Sequence, residues 1–81
     1  MNVARVFELA ETATDAELVW LIGRLSSREN ENPAQQHDLM IFHRLYSQKI
    51  TTIITAWHEQ GINPIEMAES VEEMMTARLE A

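Results

Sequence analysis

Three histidines are the first side chains to test, because imidazole serves both as a metal ligand and as a general base near neutral pH. His37 and His43 are six residues apart, which sets them about 120° apart on a helix turning 100° per residue. His58 follows 15 residues after His43, roughly 22 Å further along a helix axis. One helix offers two ligands to one ion when they stand one turn apart, and that spacing is absent. A metal would need acids from elsewhere in the fold or from a second copy. We expect no metal and no cofactor, and read His43, which falls on an apolar stripe, as a boundary or core histidine.

Carboxylates come next. Glu66, Glu69, Glu73 and Glu80 share one side of the last helical segment. On a convex, solvated face nothing desolvates them, so nothing prepares one as a general acid or base. Ser26, Ser27, Ser47 and Ser70 have no strand-turn-helix nucleophile context, and no glycine-rich loop could cradle a phosphate. The chain has no cysteine, which excludes disulfides, thiolate catalysis and cysteine-ligated zinc and fits a reducing compartment. We therefore expect no enzyme.

Charge narrows the field further. The net charge is −7, and the acids are unevenly spread: six acids and three bases in residues 1–32, two and two in 33–61, five and one in 62–81. Such a balance repels phosphate backbones and anionic lipid. No apolar run approaches the roughly 20 residues of a membrane span, and the N-terminal residues lack a signal-peptide pattern. The expected location is cytoplasmic, away from membrane and nucleic acid.

The elements that would carry these side chains read as a single all-α domain over residues 1–81, a small four-helix bundle. Its helices fall at about 3–12, 15–26, 33–60 and 64–80, by their caps and periodicity. Asn2 can cap the first, short helix, in which Val3, Val6, Phe7 and Ala10 share a face. Thr14 with Glu17 is a capping-box pair that opens the second. Leu18, Leu21, Ile22 and Leu25 form its apolar face, Glu17 and Arg24 lie outside, and Trp20 points about 160° away from the stripe.

The third helix is the long central rod around which the chain is expected to organise. Asn32 and Pro33 open it, Gln35 can reach back to the cap, and Gly61 closes it, followed by Ile62. Leu39, Phe42, His43, Tyr46, Ile50, Ile53, Ile54 and Trp57 line one side. Ile41 and Leu45 fall behind that stripe, so the first half is apolar almost all round. Between helices two and three, residues 26–32 read as a loop, with Arg24 and Arg28 a basic pair at its entrance. Asn63-Pro64 opens a fourth helix whose broad apolar face holds Ile65, Met67, Ala68, Val71, Met74, Met75 and Leu79, with the acidic ridge opposite and Arg78 near its end.

An 81-residue chain sits near the lower size limit for a self-sufficient core. Trp20, Ile41, Leu45, Met67, Met74 and Met75 are more apolar surface than so small a monomer readily covers. Methionines at helical spacing can be core filler, and the first helix could cover Trp20. Taken together the six predict a second apolar interface, most simply a homodimer through the first half of helix three. The expected function is a non-enzymatic protein–protein interaction module: a small acidic adaptor, regulator or inhibitor, of the type found by analogy among mobile-element and phage proteins. It acts as a helical dimer, with itself and one further protein as partners. One alternative makes the ridge of Glu66, Glu69, Glu73 and Glu80 a nucleic-acid mimic that inhibits a nucleic-acid-binding protein. Another reads helix three, its turn and helix four as a helix-turn-helix DNA binder, which the acidic second helix disfavours.

Overall fold

The computed structural model describes residues 3–27 and 33–81, apart from the side chain of Gln35. Every element among the described residues is a helix: α1 (Val3–Glu11), α2 (Asp15–Leu25), α3 (Pro33–Glu59), α4 (Pro64–Ser70) and α5 (Glu72–Glu80). The caps expected at Asn2 and Asn32, the reach-back of Gln35 and the base Arg28 lie outside the described residues.

Local chemistry fixes three of the helix ends. At the start of α2 the Thr14 hydroxyl accepts the Glu17 N–H at 3.3 Å, and the Glu17 carboxylate accepts the Thr14 N–H at 2.9 Å. That reciprocal pair satisfies two of the orphan donors every helix leaves at its N-terminus. At the end of α3, Gly61 adopts φ 72°, open to glycine at little steric expense. The Ile62 N–H bonds the Trp57 carbonyl at 2.8 Å and the Gly61 N–H bonds His58 at 3.1 Å, the paired bonds of a Schellman ending. Asn63 then caps α4, its side-chain oxygen accepting the Ile65 N–H at 2.9 Å.

The helix at the centre of the packing is α2, not the longer α3 that the sequence pattern favours. It packs against α1, α3 and α4. Its buried residues are Ala16, Glu17, Leu18, Trp20, Leu21 and Leu25, which at 100° per residue span about 200° of its circumference, twice the stripe of a helix covered on one side. This wide enclosure corrects two sequence expectations. Trp20 is only 6% exposed, because α4 covers the side of α2 opposite the leucine stripe. Glu17 is buried too, its carboxylate turned inward to close the capping box.

Burial on α3 is narrower. Phe42, Ile50, Ile53 and Trp57 are buried, an arc of about 80° by the same rule, and Leu39 and Tyr46, partly covered, fall within it. The Phe42 ring meets Phe7 of α1 edge-on at 5.5 Å and Tyr46 at 4.7 Å, arrangements that favour aromatic rings. His43 and Ile54, expected on the stripe, are exposed. The covering helices α1 and α2 occupy one side of the rod, and these two fall past its edge.

The expected single helix over 64–80 is two helices. Val71 has φ −108° and ψ 1°, outside helical values, and separates α4 from α5. The two halves have different neighbours: α4 packs on α2, and α5 packs on α1. A straight rod could not follow both. The α5 end is fastened by Arg5 Nε, which donates to the Arg78 carbonyl at 3.1 Å, and by Arg78 Nη1, 3.6 Å from the Glu17 carboxylate. Met75 and Leu79, one turn apart, are buried. Met75 at 1% exposure belongs to the core, not to the surface where the sequence pattern puts it.

Candidate interaction surfaces

The groups that could do chemistry do not converge. His37, His43 and His58 are all exposed, and no cluster of three or more His, Asp or Glu among the described residues could hold a metal ion. The Ser26 hydroxyl donates to the Ile22 carbonyl at 2.8 Å and the Ser70 hydroxyl to Met67 at 2.6 Å, so both are engaged by the backbone of their own turn. Glu66, Glu69, Glu73 and Glu80 are exposed, but the break at Val71 divides them between α4 and α5. The expected ridge along one helix is therefore two shorter ones. No helix of the described residues is long and apolar enough to cross a membrane.

Two apolar surfaces remain open. The first is a convex one on α3. Ile41 and Leu45 stand one turn apart, and Leu45 is 63% exposed. Met40 is exposed on the adjoining side. From Pro33 to Ile41 no described side chain of α3 is buried, so the first two turns add little to the core. On the helical wheel Ile41 and Leu45 lie between the exposed bases Arg44 and Lys49, each about 40–60° from the nearer apolar residue.

The second surface is concave, a groove of about 350 Å³ between α2 and α4. Val19, Trp20 and Gly23 line it from α2, and Ile65 and Ala68 from α4. On α4 these continue into Glu69, at the i, i+3, i+4 spacing of one helix face, and Glu72 at the start of α5 extends the wall past the break. Arg24 stands on the α2 wall. Ile65 is 68% exposed and forms the outer lip. Gly23 leaves the floor open: a Cβ built there would meet no packing neighbour within 4 Å among the described residues.

The six anchors expected from sequence therefore separate. Ile41, Leu45 and Met74 are exposed, Met67 is partly buried against the core, and Trp20 and Met75 are buried. The structure brings Ile41 and Leu45 together and sets Met74 on α5. Trp20 keeps an edge on the groove although most of it is enclosed. Sequence reasoning missed Met40, Ile65 and Gly23. The glycine gave a signal, since an unforced glycine inside a helix weakens it. Ile65 gave none, being an apolar residue on an apolar face.

Fold and surfaces together define an all-helical protein in which, among the described residues, an apolar ridge on α3 and an apolar groove between α2 and α4 stand open. Comparison of the chain with models of known families, with curated proteins and with solved structures finds no match.

Proposed function

We propose that this chain is a non-enzymatic protein–protein interaction module that self-associates as a helical homodimer and acts as a small acidic regulator or inhibitor by docking on another protein. With α4 and α5 counted as one broken helix, the protomer is a four-helix bundle. The observation that carries the reading is the exposure of Ile41 and Leu45, with Met40 nearby, on the face of α3 that points away from the buried arc of Phe42. Clustered exposed apolar side chains of this size favour association. The accessible surface of 5440 Å², against about 5,000 Å² for a compact chain of this mass, accords with a protomer that has surface left to cover. A cytoplasmic location goes with the reading, since the chain has no cysteine to suggest an oxidising compartment.

Sedimentation equilibrium tests it. The wild-type chain should sediment at twice 9.3 kDa at high micromolar concentration. Ile41→Asp with Leu45→Asp should sediment as a monomer with unchanged helical circular dichroism. A wild type that stays monomeric removes the basis of the proposal.

A second reading keeps its own observation: Glu66, Glu69, Glu73 and Glu80 are all exposed, and could imitate a phosphate backbone to a basic protein. Binding through them would weaken steeply with salt and fail on Glu→Gln changes, whereas apolar docking would tolerate both.

A further inference from the structure

We propose that the two open surfaces are the two halves of one interface: the Ile41–Leu45 ridge of one copy seats in the α2–α4 groove of another. This rests on the self-association reading above and specifies how it is achieved. The two surfaces are complementary in shape and charge. The ridge is convex and apolar, with Arg44 and Lys49 flanking it, the two bases among residues 33–61. The groove is concave and mostly apolar, with Glu69 of α4 and Glu72 at the start of α5 on one wall and Arg24 on the other.

Three self-pairings are available to a chain with these two surfaces. Ridge against ridge brings Arg44 and Lys49 toward their own copies, and groove against groove does the same for Glu69 and Glu72. Like charges across a contact are penalised, and a chain carrying −7 overall already repels its twin. Ridge in groove sets a net basic surface, Arg44 and Lys49 with Asp38 beside them, against a net acidic one, Glu69 and Glu72 with Arg24. The other described bases are placed elsewhere: Arg5 pairs with Glu8, Arg78 with Glu17, and Arg24 lies in the groove wall itself.

Gly23 supplies an independent observation. It has no positive φ to require glycine, and among the described residues no packing neighbour occupies the space a Cβ would take. Neither backbone conformation nor internal packing accounts for it. A second helix laid in the groove does, because glycine lets another chain approach the α2 backbone closely. A ridge-in-groove contact joins two different patches, so it closes as a dimer where a two-fold axis repeats it and otherwise grows into longer assemblies.

Charge exchange between two variants tests the pairing. Arg44→Glu with Lys49→Glu makes an acidic ridge, and Glu69→Lys with Glu72→Lys makes a basic groove wall. All four positions are exposed, so both variants should keep wild-type circular dichroism. Each alone should self-associate at least tenfold more weakly than wild type by sedimentation equilibrium. An equimolar mixture should recover association, because every ridge then finds a groove of opposite sign. Gly23→Leu, which fills the groove without changing charge, should also sediment as a monomer. If wild type associates but Gly23→Leu and the basic-groove variant associate equally well, ridge-in-groove pairing is wrong and the self-association reading stands. Two variants that dissociate alone and fail to combine likewise overturn the pairing. A monomeric wild type overturns both.

Discussion

Helix α2 and the first half of α3 are both rich in large apolar side chains, yet they end in opposite environments. Six of the eleven residues of α2 are buried, including a tryptophan and a glutamate that its wheel pattern sets outside. On α3, Met40, Ile41 and Leu45 are exposed, and burial begins at Phe42. Hydrophobic content does not separate the two segments; the number of neighbours does. α2 is met by α1, α3 and α4, whereas α3 is met by α1 and α2 along one side. An apolar residue is core where a second element arrives to cover it, and a contact surface where none does.

Truncating one leucine in each region should have very different consequences. Leu21 is completely buried, so Leu21→Ala should destabilise the monomer by about 2–5 kcal/mol, a large share of the roughly 5–15 kcal/mol a small domain commands. Leu45→Ala removes the same atoms from an exposed site and should change monomer stability by less than about 0.5 kcal/mol, while weakening self-association. Urea denaturation at a dilution where the chain is monomeric measures both. Equal losses would mean that the two regions are not different in kind.

How much of this was legible in the sequence follows the same division. Thr14 with Glu17, Gly61 with Ile62, and Asn63 with Pro64 act through bonds to residues within a few positions, and each helix end lies where those residues put it. Ile41 and Leu45 stood out because they fall behind a stripe that is itself local. The burial of Trp20 and Glu17 did not show, since it depends on α4 and α5 returning from the far end of the chain. The interruption at Val71 had no glycine or proline to announce it; it follows from α4 and α5 having different helices to pack on. The groove is a property of two helices about 40 residues apart in sequence, so no single-helix wheel could display it.

Smaller effects are expected at the boundaries of the two helices. Gly61 turns the chain from the end of α3 toward α4, the element that completes the enclosure of α2. At φ 72° a Cβ is strained, and Gly61→Ala should cost about 1–2 kcal/mol even though the site is exposed and open around it. Thermal unfolding followed by circular dichroism reads this directly, and an unchanged midpoint would mean the turn relaxes without loss. At the start of α2, Thr14→Ala removes the hydroxyl that accepts the Glu17 N–H and should cost about 1 kcal/mol. The loss should be similar at low and moderate salt, because the bond removed is a hydrogen bond to a neutral hydroxyl.

The smallest expected change has the opposite sign. Gly23 is an exposed position on the groove side of α2, and its backbone is not left-handed. Alanine there loses less conformational entropy on folding and meets no packing neighbour within 4 Å among the described residues, so Gly23→Ala should stabilise the monomer by about 0.5–1 kcal/mol. The same methyl group should barely alter self-association, whereas the Gly23→Leu side chain should stabilise the helix comparably and block the groove. Stability and association would then move independently at one position, which ordinary core packing cannot produce. A Gly23→Ala chain less stable than wild type would show that the glycine serves α2 itself, and that the space beside it is structural and not a place kept for another helix.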